Sequence, residues 1–140
     1  MTTLKEVNFG TENKYCVPSA ISAITGLSTD EVAEIIQKNR KNSRAVRAVY
    51  YCEAIDVLNE LGYRAIIIPL SCNNSLFFTL MNCQFENGLY FFGLQGHVIV
   101  LEKNFTSWYL VDNVSKKPLN VGMSARLGQK VLLIFKIEKV

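Results

Sequence analysis

The chain has 140 residues, 49% of them apolar and 11% aromatic, which is enough to build a core without disulfide or metal staples. That length fits one domain over residues 1–140, and the apolar share excludes intrinsic disorder. With 19% charged residues and a formal net charge of +3, charge alone gives no case for nucleic acid.

The opening, MTTLKEVNFGTENKY, is polar and turn-rich and lacks the apolar centre of a signal peptide. No later run reaches the roughly 18 apolar residues needed to cross a bilayer, so a cytoplasmic location with no membrane partner is expected. From Val17 the sequence VPSAISAITGL has apolar residues at helical spacing, and Gly26 ends it. Proline is tolerated only near a helix start, so Pro18 puts Cys16 at, or one residue before, the first turn. Ser28 with Glu31 reads as a capping box opening a second helix, whose apolar face is Val32, Ile35 and Ile36. After the basic run KNRKNSRAVR, a third helix is predicted over Ala45 to Leu61, with Val46, Val49, Tyr50, Ile55, Leu58 and Leu61 facing inward.

Past Gly62 the pattern turns extended. Tyr63 to Leu70 reads as a strand, and a short helix is predicted from about Ser75 to Cys83. LYFFG, HVIVLEK, SWYLVDN and KVLLIFKIEK follow as further strands. Helices first and a mostly antiparallel sheet after them predict an α+β fold.

Three residues carry chemistry in this arrangement. A helix N-terminus lowers a thiol's pKa through its dipole and free N–H groups, and Cys16 stands where that effect operates. The alternative is a small buried side chain with no role. His97, the sole histidine, opens a strand directly after a glycine, where its ring can face a cleft. Asp112 ends the next strand, and a turn near Asn104 to Ser107 is expected to bring it level with His97; the alternative is a turn aspartate ahead of Asn113. None of the four cysteines (Cys16, Cys52, Cys72, Cys83) sits in a CxxC spacing, so neither zinc nor any other cofactor is expected, and the thiols are expected to be reduced.

Cysteine on the first helix, histidine at a strand start and Asp at the end of the following strand resemble the papain-like cysteine peptidases. The fragments YCVPSAISAITGLSTDEVAEII and ENGLYFFGLQGHVIVLEKNFTSWYLVDN, with AIDVLNELGYRAIII between them, are most similar to the compact branch of that superfamily. This branch comprises the peptidase domains of bacteriocin-exporting transporters and related small viral and bacterial proteins. The resemblance implies a papain-like fold with N-terminal helices on a C-terminal sheet. It also implies a Cys16–His97–Asp112 triad and a peptide or isopeptide substrate opened through a thioester. Relatives supply a glutamine about six residues before the cysteine to bind the oxyanion. Here that position is Gly10, so Asn13 is the expected substitute, and Val17 replaces a common glycine. Tyr15 and Trp108 are expected to line the cleft.

Two rival readings come from other classes. One is a catalytically weak papain-like fold kept as a protein-binding module, such as a viral effector in the host cytoplasm. The other is a nucleic-acid binder using Lys38, Arg40, Lys41, Arg44 and Arg47, a run that reads more simply as a solvated helix end. Phe77, Phe78, Tyr90, Phe91 and Phe92 are expected in the core, as are Cys52 and Cys83. Oligomeric state is not legible in the sequence.

Overall fold

The computed structural model describes residues 3–7, 16–40, 49–69, 74–112 and 117–140. Its helices are α1 (Cys16–Thr25), α2 (Thr29–Arg40), α3 (Tyr51–Glu60) and α4 (Leu76–Asn82). Its strands are β1 (Tyr63–Ile68), β2 (Gly88–Leu94), β3 (His97–Asn104), β4 (Ser107–Val111), β5 (Leu119–Asn120) and β6 (Val131–Lys139), with a 3-10 turn, η1, at Val121–Met123. The strands form one antiparallel sheet in the order β1-β6-β2-β3-β4-β5.

Alternation along the central strands explains the layering. Successive strand residues face opposite sides, so on β2 Phe91 joins the helical side while Tyr90, Phe92 and Leu94 join the other. Because both sides are covered, β2 and β3 read as nearly unbroken apolar runs rather than as alternating ones. The helical side packs α1, α2 and α3 with Leu4 and Val7 onto Phe91, Val98, Val100 and Ile137. The opposite side collects Leu76 of α4 with Tyr90, Phe92, Ile99, Leu101, Trp108 and Ile134.

Helix α1 is the innermost element, with every residue from Val17 to Ile24 buried. Its small Ser and Ala residues let neighbours approach closely, and the Ser22 hydroxyl donates to the Leu27 carbonyl at 2.7 Å. At the start of α2, Ser28 and Glu31 form the expected capping box: Glu31 N–H donates to Ser28 Oγ at 3.2 Å and Ser28 N–H to Glu31 Oε1 at 3.3 Å.

Some expectations are corrected. Helix α3 begins at Tyr51, not at Ala45; Tyr50 before it is extended and 74% exposed. The start is set by Glu53, whose carboxylate accepts the Tyr50 N–H at 3.0 Å. The inward face is consequently Ala54, Val57 and Leu58. Phe77 and Phe78 lie at the surface of α4, since a two-turn helix held by Leu76 and Thr79 can bury only one side. Cys52 and Cys83 are exposed as well. No helix among the described residues is long and apolar enough to cross a membrane.

Candidate active site

The site lies where the start of α1 meets the start of β3. The first N–H groups of a helix have no carbonyl partner within it. The backbone N–H groups of Val98 in β3 and of Cys16 and Val17 in α1 favour the charged form of the Cys16 thiol. β4 pairs with β3 only from Val100 onward, which leaves the beginning of β3 open to the helix.

Burial nevertheless raises the thiol above its ordinary value of 9.0, outweighing those three N–H donors and the charge of Arg126. This corrects the expectation of a lowered thiol pKa. A helix N-terminus favours the thiolate, but loss of water disfavours it more at this depth.

His97 begins β3 behind the Gln95–Gly96 turn. Gly96 takes φ +74°, a left-handed conformation that glycine adopts without a Cβ penalty. The ring is half-buried. Burial, and then the Arg126 charge, lower its pKa from 6.5, while the Asp112 carboxylate pulls it up. Its Nε2 is buried and has no hydrogen-bond partner among the described residues. Thiol and imidazole are therefore both driven toward their neutral forms.

Asp112 is the first residue after β4 and only 6% exposed. The β3–β4 register pairs Val111 with Val100. Continued by one residue, it sets Asp112 opposite Ile99, two residues short of level with His97. The turn lies where expected, with Asn104 paired to Ser107, but the register it sets places Asp112 two residues away from the expected level. The carboxylate accepts from Arg126 Nε at 3.4 Å.

Two residues of this neighbourhood escaped the sequence reading. Arg126 reaches Asp112, and its charge acts on both Cys16 and His97. It sits in the turn before β6, and β6 carries that turn back between distant strands; Gln95 N–H donates to the Lys130 carbonyl at 3.1 Å. No local pattern links that turn to Cys16. Tyr51, the first residue of α3, extends its hydroxyl over β2, so a Cβ on Gly93 would stand 2.6 Å from it. Burial, and then Cys16, oppose ionisation of this hydroxyl and raise its pKa from 10.0.

Asn13 and Tyr15 lie outside the described residues, as do Gly10, Lys41, Arg44, Arg47 and Cys72. Arg40 is not a solvated end of the basic run: its Nη2 donates to Glu53 Oε1 at 3.0 Å, tying α2 to α3. Trp108 is buried to 8% exposure on the sheet side covered by α4, opposite α1, α2 and α3. There it borders a groove of about 520 Å³ with Phe77, Met81 and Phe105, and none of Cys16, His97 and Asp112 lines it. Among the described residues no three His, Cys, Asp or Glu side chains gather as metal ligands.

No family model matches the chain, and no curated protein matches it. Solved structures do. One is the crystal structure of a double glycine motif protease from an AMS/PCAT transporter in complex with the leader peptide. It is 11% identical with a TM-score of 0.58, covering 99% of this chain and 97% of that one. Such a likeness shows the fold, the α+β fold of that protease, with four helices packed on a six-stranded antiparallel sheet among the described residues.

Proposed function

We propose that the protein is a cysteine peptidase-like hydrolase or acyl transferase that opens a peptide or isopeptide bond through a thioester. Cys16 attacks the carbonyl, His97 takes the thiol proton and returns it to the leaving amine, and Asp112 orients the imidazolium as it forms. Asn13, Tyr15 and backbone N–H groups serve the oxyanion and the substrate. The reading needs no metal or cofactor and suits a reducing cytoplasm, of a host cell in the case of a viral protein. The carrying observation is the placement of Cys16 as the first residue of α1, against the start of β3 that opens with His97, within this fold. Donors fixed before the reaction stabilise developing charge without reorganising. Because the solved relative is a double glycine protease bound to a leader peptide, a leader-type peptide is the first substrate to try.

In the resting site both partners are neutral, so the proton moves during attack rather than before it. The test is the pH dependence of Cys16 alkylation by iodoacetamide, in the native protein and in His97→Ala. Faster reaction near neutrality than the exposed Cys52 and Cys83 show, lost in His97→Ala, supports the enzyme. An inert Cys16 in both proteins overturns it.

The raised thiol pKa, and a buried His97 Nε2 that finds no partner among the described residues, favour a second reading, a papain-like fold serving as a protein-binding module. Under that reading, Cys16→Ser leaves partner capture unchanged while no peptide is cut.

A further inference from the structure

We propose that Arg126 is a specificity-determining residue of this site, its guanidinium receiving a carboxylate that the peptide substrate carries beside the scissile bond. This rests on the reading of Cys16 as the nucleophile. The backbone around Arg126 is fixed on both sides. Its N–H donates to Ser124 Oγ at 3.0 Å, and its carbonyl accepts from Gln129 N–H at 2.9 Å. The same turn is tied to α4, where Phe77 N–H donates to the Leu127 carbonyl and Leu76 N–H to the Gln129 carbonyl. The side chain therefore leaves from an anchored turn, and its Nε–H is spent on Asp112 at 3.4 Å.

A guanidinium presents five N–H donors in a fixed fork. Among the described residues no protein acceptor takes the others of Arg126. Asp112 is 6% exposed and Arg126 23%, so the cation is the more open partner of the pair. That cation acts on Cys16 and on His97 alike, which places it within electrostatic reach of any group held between them. Guanidinium Nη groups match a carboxylate edge with two parallel hydrogen bonds. A guest carboxylate can dock there without displacing Asp112.

The test compares two alkylating reagents of nearly equal size on the full chain, the anionic iodoacetate and the neutral iodoacetamide. Rates are followed by mass spectrometry on the peptide containing Cys16, with the exposed Cys52 and Cys83 as references within the same sample. The expected iodoacetate-to-iodoacetamide ratio at Cys16 is about tenfold above theirs, the order a charge-assisted hydrogen bond gives, and falls to theirs in Arg126→Gln. A change in nucleophilicity moves both reagents alike and leaves the ratio untouched, so a merely structural Arg126 gives no such fall. A native ratio equal to the references, or a raised one unchanged in Arg126→Gln, overturns the assignment. Should Cys16 react with neither reagent, the peptidase reading fails by itself. Arg126 is then judged by the NMR resonance of its Nε–H. A saturable shift with succinate and none with succinamide upholds the carboxylate site, and no saturable shift with succinate overturns it.

Discussion

Gly93 is a glycine because Tyr51 occupies the space above it. A Cβ there would lie 2.6 Å from the tyrosine hydroxyl and 3.0 Å from Leu133 Cγ. Gly93→Ala must push Tyr51 aside, and overpacking of this kind costs about 1–3 kcal/mol. We expect a urea midpoint lowered accordingly, and partial recovery in Gly93→Ala with Tyr51→Phe, since that pair shares one contact. Recovery stays partial because the ring carbon Cζ, 3.0 Å away, remains. An unchanged midpoint in the single variant would show that Tyr51 swings away freely. At this scale the sequence disclosed only part of the site. Cys16, His97 and Asp112 are visible because each stands at an element boundary that local signals mark: a proline, a glycine and a turn pair. Tyr51 and Arg126 are not visible, since each enters from a segment whose position depends on long-range packing.

At the scale of elements, the helix starts separate what local rules specify from what partners specify. The capping box of α2 is written in Ser28 and Glu31, two residues three apart that satisfy one another's backbone donors. The start of α3 is written partly in α2. Glu53 accepts the Tyr50 N–H and at the same time the Arg40 guanidinium through Nε and Nη2. Helical periodicity ran on through Val46 and Val49, so a start at Tyr51 was not legible without that cross-helix pair. Arg40 and Glu53 are 12% and 21% exposed, so solvent screens them less than Arg64 and Glu138, at 62% and 36%. Glu53→Ala is therefore expected to destabilise by about 1–3 kcal/mol, because it removes one carboxylate that serves both a cation and a backbone amide. Glu138→Ala is expected to cost about 0–1 kcal/mol. Chemical denaturation of the two variants checks the order, and equal costs would deny Glu53 its double role. The strands were more legible than the helix starts, since runs such as HVIVLEK admit few readings. Their order was not, because nothing local tells β6 to insert between β1 and β2.

For the whole molecule, the buried acid and base at the site shape how stability depends on pH. The folded His97 binds its proton more weakly than an ordinary imidazole of pKa 6.5, because burial and Arg126 outweigh Asp112. Below pH 6.5 the unfolded chain takes up a proton that the folded one refuses, so stability falls with acidification until the folded pKa is passed. Cys16 works at the other end. Its folded pKa lies above 9.0, so above that pH the unfolded chain releases a proton that the folded one retains, and stability falls as pH rises. Tyr51 and Tyr90, both raised from 10.0, extend the alkaline decline. Each single proton limits the slope to about 1.4 kcal/mol per pH unit. Urea midpoints across pH 5 to 10 should therefore form a plateau between about 6.5 and 9. His97→Gln should flatten the shoulder just below 6.5, and Cys16→Ser should delay the alkaline decline toward 10, where the tyrosines take over. A native profile level from pH 7 down to 5 would mean that His97 titrates as it does in the unfolded chain. Burial would then not hold the resting imidazole neutral below pH 6.5, while Cys16, raised above 9.0, would keep its proton all the same, so the transfer would still belong to the moment of attack.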